Sequence, residues 1–145
     1  DASDTIQSYF FDYDNDGDLD AFVGNATGNI QYFRDVGTVS NPIFTTAMAN
    51  PFGLSDVRTA ASPTFVDIDG DGDLDALSGN GDGDILFFRN TGTVNSPEFA
   101  AAVFNPFGLT DVSYSASPSF VDIDNDGDLD AFVGEFTGSI FFPEI

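Results

Sequence analysis

The segment DYDNDGDLDAFVG, Asp12 to Gly24, sets five aspartates into nine residues and then turns apolar, and the chain writes it three times. Near copies, DIDGDGDLDALSG and DIDNDGDLDAFVG, begin at Asp67 and Asp122, each 55 positions after the one before. The same offset relates Ile30, Ile85 and Ile140, and relates NPFGLSDV from Asn50 to NPFGLTDV from Asn105. A fixed period of this length marks a repeat architecture and constrains the fold more than any local propensity does. It divides the chain into units 1–55, 56–110 and 111–145, and the second and third agree at 20 of the 35 positions they share. The third unit is about 20 residues shorter than the others.

Within a unit the segments are short, rich in Phe, Val and Ile, and separated by glycine or proline. SPTFVDID (62–69) reads as a first strand that ends in the acidic loop, and LDALSG (74–79) as a second strand after it. GDGDILFFRNTG (81–92) offers a turn and a third strand centred on Ile85 to Phe88. SPEFAAAVF (96–104) is a fourth strand or, through its alanines, a helical turn, and NPFGL turns the chain into the next unit. No window carries an apolar period of 3.6 over helix length. The fold class is all-β, with four short strands per unit in the manner of a β-propeller blade. Two complete units and a partial third make an open arc, or part of a larger ring or filament.

The acidic loops need a reason. Like charges this close repel, and the arrangement is tolerable when a cation sits among them. In D-x-D-x-D-G-D-L-D the side chains at positions 1, 3, 5 and 9 can turn toward one centre, and position 7 can offer its backbone carbonyl. Gly17, Gly72 and Gly127 at position 6 permit the reversal that brings the later groups back. An all-oxygen set with several carboxylates suits Ca²⁺, which takes six to eight oxygens at about 2.3–2.6 Å; Mg²⁺ demands a tighter octahedron and keeps its waters. The loop is not an EF-hand: at position 12, where that loop needs a bidentate Glu, stand Val23, Ser78 and Val133. Leu19, Leu74 and Leu129 at position 8 are placed to anchor each loop to the core.

Composition narrows the function classes. Against 25 acidic residues stand Arg34, Arg58 and Arg89 alone, giving a formal net charge of −22. That excludes basic-patch binding to nucleic acid or to an anionic membrane surface. Cysteine and histidine are absent, which removes disulfides, thiolate metal sites and the commonest general base. No apolar run reaches membrane-spanning length, so no membrane insertion is expected. The opening Asp1 leads us to expect a processed or excised piece.

The units resemble the FG-GAP or VCBS-type repeats, the blades of Ca²⁺-binding β-propellers such as the head of integrin α subunits. The resemblance is carried by FVDIDGDGDLDA and the following G-x-x-x-G-x-I (Gly79, Gly83, Ile85), with counterparts in the other units. It implies that each acidic loop joins two strands of one blade and holds one Ca²⁺, three in total. The implied ligands are Asp12, Asp14, Asp16, Asp18 and Asp20 in the first loop. In the second they are Asp67, Asp69, Asp71, Asp73 and Asp75, and in the third Asp122, Asp124, Asp126, Asp128 and Asp130. Asp18, Asp73 and Asp128 at position 7 are expected to contribute through their carbonyls.

The resulting expectation is a non-enzymatic, Ca²⁺-stabilised repeat protein of the extracellular space or cell surface, with an adhesive or self-assembling role in a fibre or surface layer. Its expected partners are further copies of itself, or additional blades of a parent chain, joined head to tail. The alternative is a lectin-like propeller that binds glycans, with phenylalanines such as Phe10, Phe65 and Phe120 as stacking platforms; blade-to-blade core packing is the favoured role for them. A fragment of a polysaccharide-degrading enzyme fits least, since the unclustered acids Glu98, Glu135, Glu144, Asp82 and Asp84 form no repeated pair. Arg34 and Arg89 occupy equivalent positions, and Arg89 is expected to pair with an aspartate near the strand end, a structural pairing favoured over a role in binding a ligand's carboxylate. Asn25-Ala26-Thr27 is an N-glycosylation triplet on an expected turn.

Overall fold

The computed structural model describes residues 7–141. Three antiparallel sheets follow one another along the chain. The first is built from β1 (Ser8–Phe11), β2 (Asp20–Gly24), β3 (Ile30–Phe33) and β4 (Met48–Ala49). The second contains β5 (Ser62–Val66), β6 (Asp75–Gly79), β7 (Ile85–Phe88) and β8 (Val103–Phe104). The third has β9 (Ser117–Val121), β10 (Asp130–Gly134) and β11 (Ile140–Phe141). Strand order within each sheet is the chain order, so every connection is a hairpin. The described residues form no α-helix and no closed barrel, and the sheets stand as open propeller-like blades with β1, β5 and β9 side by side.

The acidic loops join the first and second strands of each blade. The predicted strands are longer than the observed ones. β5 ends at Val66 rather than running to Asp69, because the Asp67 side chain already accepts the loop amides of Asp71 and Gly72. The segment 96–104 is neither the full strand nor the helical turn expected from its sequence. Thr93 and Ser96 exchange backbone hydrogen bonds, the Asn90 side chain accepts the amides of Gly92 and Glu98, and only Val103–Phe104 pairs as a strand. NPFGL does turn: Asn50 and Phe52 take left-handed conformations around a single 3₁₀ turn, Pro51–Gly53, and Asn50 Oδ1 accepts the Ile30 amide.

The core lies between blades. One apolar cluster joins Tyr13, Phe22, Ile30, Tyr32, Leu54 and Val57 to Ala61, Phe65, Ala76, Leu86, Phe88 and Phe99. A second joins Leu77, Ile85, Leu109 and Val112 to Ala116, Ala131 and Val133. Burial along the second strands shows the consequence. β6 is buried at all five positions because a blade covers each of its faces, whereas in β10 only Ala131 and Val133, on the side facing the second blade, are buried. The repeated phenylalanines go into these joints: Phe65 is 2 % exposed against Tyr9, Phe11 and Phe22, as the packing role requires. Its counterpart Phe10, on the outer face of the first blade, is 53 % exposed.

The glycine ending each second strand is required by space. A Cβ on Gly24 would stand 1.9 Å from the Ala61 carbonyl oxygen, and one on Gly79 the same distance from that of Ala116. At Gly134, which no described blade follows, the nearest atom would be 3.9 Å away. The backbone of one blade therefore lies directly against the next, too close for any side chain. Gly79→Ala should cost about 3 kcal/mol through overpacking, while Gly134→Ala should stay within about 0.5 kcal/mol; urea unfolding of the two variants beside wild type checks this.

Candidate metal sites

Each loop is organised first by its own position-1 aspartate. Asp12 accepts the amides of Asp16 (3.1 Å) and Gly17 (3.0 Å), and Asp67 accepts those of Asp71 and Gly72 at the same distances. Asp122 accepts Gly127 at 3.1 Å but takes Asn125 in place of Asp126. Position 5 then accepts the position-7 amide: Asp18 by Asp16, Asp73 by Asp71, Asp128 by Asp126. Gly17, Gly72 and Gly127 adopt φ of 95°, 93° and 101°, conformations costly to residues with a side chain, although a Cβ there would meet nothing. Their role is conformational where that of Gly24 and Gly79 is spatial.

The outcome is three groups of carboxylates. Asp12, Asp14 and Asp16 bring one oxygen each to within 4.8 Å of the others, and so do Asp67, Asp69 and Asp71. Opposite ligands of a Ca²⁺ ion stand about 4.8 Å apart by its usual bond lengths, so these groups can hold a metal ion. In the third loop the gathered set is Asp122, Asp124 and Asp130, with Asp126 outside it. The side chains of Asp18, Asp73 and Asp128 join none of the three groups.

In the first two loops position 9 stands apart from the gathered triad, held by neighbouring strands. Asp20 accepts the Asp35 amide at 2.7 Å and the Tyr32 hydroxyl at 3.1 Å. Asp75 accepts the Asn90 amide at 2.6 Å, but the residue at the Tyr32 position is Phe87, which has no hydroxyl to donate. Asp75 Oδ2 is consequently buried with no hydrogen-bond partner, and Asp14 Oδ1 is in the same condition. A buried carboxylate oxygen left unpaired costs free energy unless something cationic meets it. The donor set fits a hard cation: oxygen only, anionic, with two buried oxygens unclaimed.

Burial raises the Asp20 carboxyl above the usual range against the opposing pull of the Asp35 amide and the Tyr32 hydroxyl. Burial also pushes the Asp75 carboxyl up to about 6, with Asp69 and Asp71 adding to it and the Asn90 amide opposing it. Desolvation raises the Tyr13 hydroxyl to about 12, with Asp14 and Asp20 contributing.

The partners of position 9 were not apparent from sequence. The signal was present in the repeated spacing of 15 from Asp20 to Asp35 and from Asp75 to Asn90, each followed two residues later by glycine. Asn25, of the glycosylation triplet, organises its turn by accepting the amides of Thr27 and Asn29; Asn80 and Glu135 do the same one and two repeats on.

Blades of this kind, with an aspartate loop at the first hairpin and a core between consecutive sheets, define a β-repeat protein with built-in cation-competent corners. The FG-GAP-like repeat model matches the chain twice, over residues 12–78 and 67–133, and the chain belongs to that family. A search of curated proteins finds no match. No helix among the described residues is long and apolar enough to cross a membrane.

With its ordinary pKa near 3.8 and its folded value near 6, Asp75 favours the folded state fully below pH 4, and that contribution is lost as pH rises to about 6. In chelator, Asp75→Asn should therefore melt several degrees above wild type at pH 7 and lose the advantage below pH 4; thermal melts across pH measure it.

Proposed function

We propose that the protein is a Ca²⁺-stabilised repeat module with a structural or adhesive role outside the cell, in which the ions act as permanent staples. The carrying observation is the gathering of three carboxylates in every loop, with Asp14 Oδ1 and Asp75 Oδ2 buried and unpaired. Each ion would be held by positions 1, 3 and 5 and the position-7 carbonyl and closed by position 9, a reading supported by the gathering of Asp130 with Asp122 and Asp124. Ca²⁺ supplies charge neutralisation and a multi-oxygen bond at the hairpin corner, and it does no chemistry there. Sites this acidic and exposed suit the high ambient Ca²⁺ of extracellular fluid. Among the described residues the gathered acidic groups all lie in the loops, which favours a non-enzymatic role.

The terminal blade faces favour association. Phe10, Leu19 and Phe44 on the first blade are 53 %, 57 % and 45 % exposed, while in the second blade Phe65 and Phe99 are buried by the blade before. On the third blade Val121 and Ile123 are exposed, and Gly134 keeps the spatial allowance that Gly24 and Gly79 use to receive a neighbour. Further blades, or a second copy joined head to tail, would cover both.

Removing Ca²⁺ should lower the melting temperature by about 10 °C or more, and native mass spectrometry should count three ions per chain. Equal melting with and without EDTA would contradict the proposal. Phe10→Ala should weaken any head-to-tail assembly seen by sedimentation while leaving the melting of the isolated chain nearly unchanged.

A further inference from the structure

Arginine is scarce in this chain, and two of its three copies sit on the acidic loops. Arg34, just past β3, sets Nη2 against Asp14 Oδ2 and 3.3 Å from Asp16 Oδ2. Arg89, just past β7, meets Asp69 Oδ2 and lies 3.9 Å from Asp71 Oδ2. Each guanidinium thus rests on loop positions 3 and 5 of its own blade. Arg58 is engaged elsewhere, 3.6 Å from Asp84 and over the Phe104 ring. With no lysine or histidine in the sequence, no basic side chain remains for the third loop, and the 55-residue offset that relates Arg34 to Arg89 leads next to an acid, Glu144, in the sequence. The loop without an arginine is also the one whose gathered group takes in position 9 and leaves out position 5.

We propose that Arg34 and Arg89 are tethered counter-ions that weaken divalent-cation binding at the first two loops, so that the third loop fills first. This rests on the reading of the loops as cation sites. A fixed positive charge some 6 Å from a divalent ion opposes it by about tenfold in affinity even at the dielectric of water, and less as salt screens it. The guanidinium also engages the Oδ2 atoms of two prospective ligands, which an entering ion must share or displace. The same charge relieves carboxylate repulsion before an ion arrives, so the first two corners depend less on the ion than the third. The three loops are therefore one motif at two levels of charge, ordered by a residue outside the motif. A guanidinium that only oriented the carboxylates would act with the opposite sign, because losing it would loosen the cage.

The test is a Ca²⁺ titration of the full chain at low salt, followed through the backbone amide resonances of Gly17, Gly72 and Gly127, one reporter per loop. In wild type Gly127 should respond at the lowest Ca²⁺. Arg34→Gln should move the Gly17 midpoint to about tenfold lower Ca²⁺ while Gly72 and Gly127 stay in place, and Arg89→Gln should do the same to Gly72 alone. Melting in EDTA should fall in both variants, the result expected of a lost counter-ion. A Gly17 or Gly72 midpoint that is unchanged or moves to higher Ca²⁺ overturns the proposal, and so does Gly127 responding last. Silence of all three glycines would overturn the cation reading itself, a failure recognisable as distinct.

Discussion

Repulsion among carboxylates governs this molecule. In the first two loops the five aspartates of a nine-residue turn are held from spreading apart, because position 1 is tied to the amides of positions 5 and 6 and position 9 to an amide just past the third strand. The hydrogen bonds that shape the turn are the ones that keep its charges close. Screening by water and salt softens this at the exposed positions, but not at Asp20 and Asp75, whose burial already lifts their carboxyls above the ordinary range. The loop is thus poised to accept positive charge, and its hairpin corner is only as firm as the neutralisation it receives.

That corner matters because of where the core lies. A blade of short strands buries little by itself; Phe22, Phe65 and Phe88 are fully buried through contact between blades. Each loop fixes the relation of the first strand to the second, and so the angle at which a blade presents its faces. Gly24 and Gly79 allow the following blade's backbone to approach where no Cβ would fit. A distorted corner would therefore be felt at the joint, and loop geometry, blade shape and blade-to-blade packing form one chain of dependence.

Much of this was legible in the repeat. The 55-residue offset carried the three loops, the hairpin order and the position-6 glycines, because each follows from residues close in sequence. The resemblance to FG-GAP repeats rested on the acid loop and the G-x-x-x-G-x-I that follows it, segments inside the stretch that the family model matches. What escaped was set by tertiary neighbours. The shortness of the fourth strand comes from the Asn90 side chain capturing loop amides. The unpaired oxygen of Asp75 comes from a phenylalanine standing where the first blade has Tyr32. The difference in the third loop, where Asp130 joins the gathered set, has no signal in a motif that reads alike in all three copies.

The most direct measurement is anomalous diffraction from crystals grown in Ca²⁺, at a wavelength where calcium scatters. Three peaks, one inside each aspartate turn and each about 2.3–2.6 Å from its ring of carboxylate and carbonyl oxygens, are the predicted result. Ordinary water at those corners, with the carboxylates swung out to solvent, would contradict it and leave the density of negative charge without a physical reason.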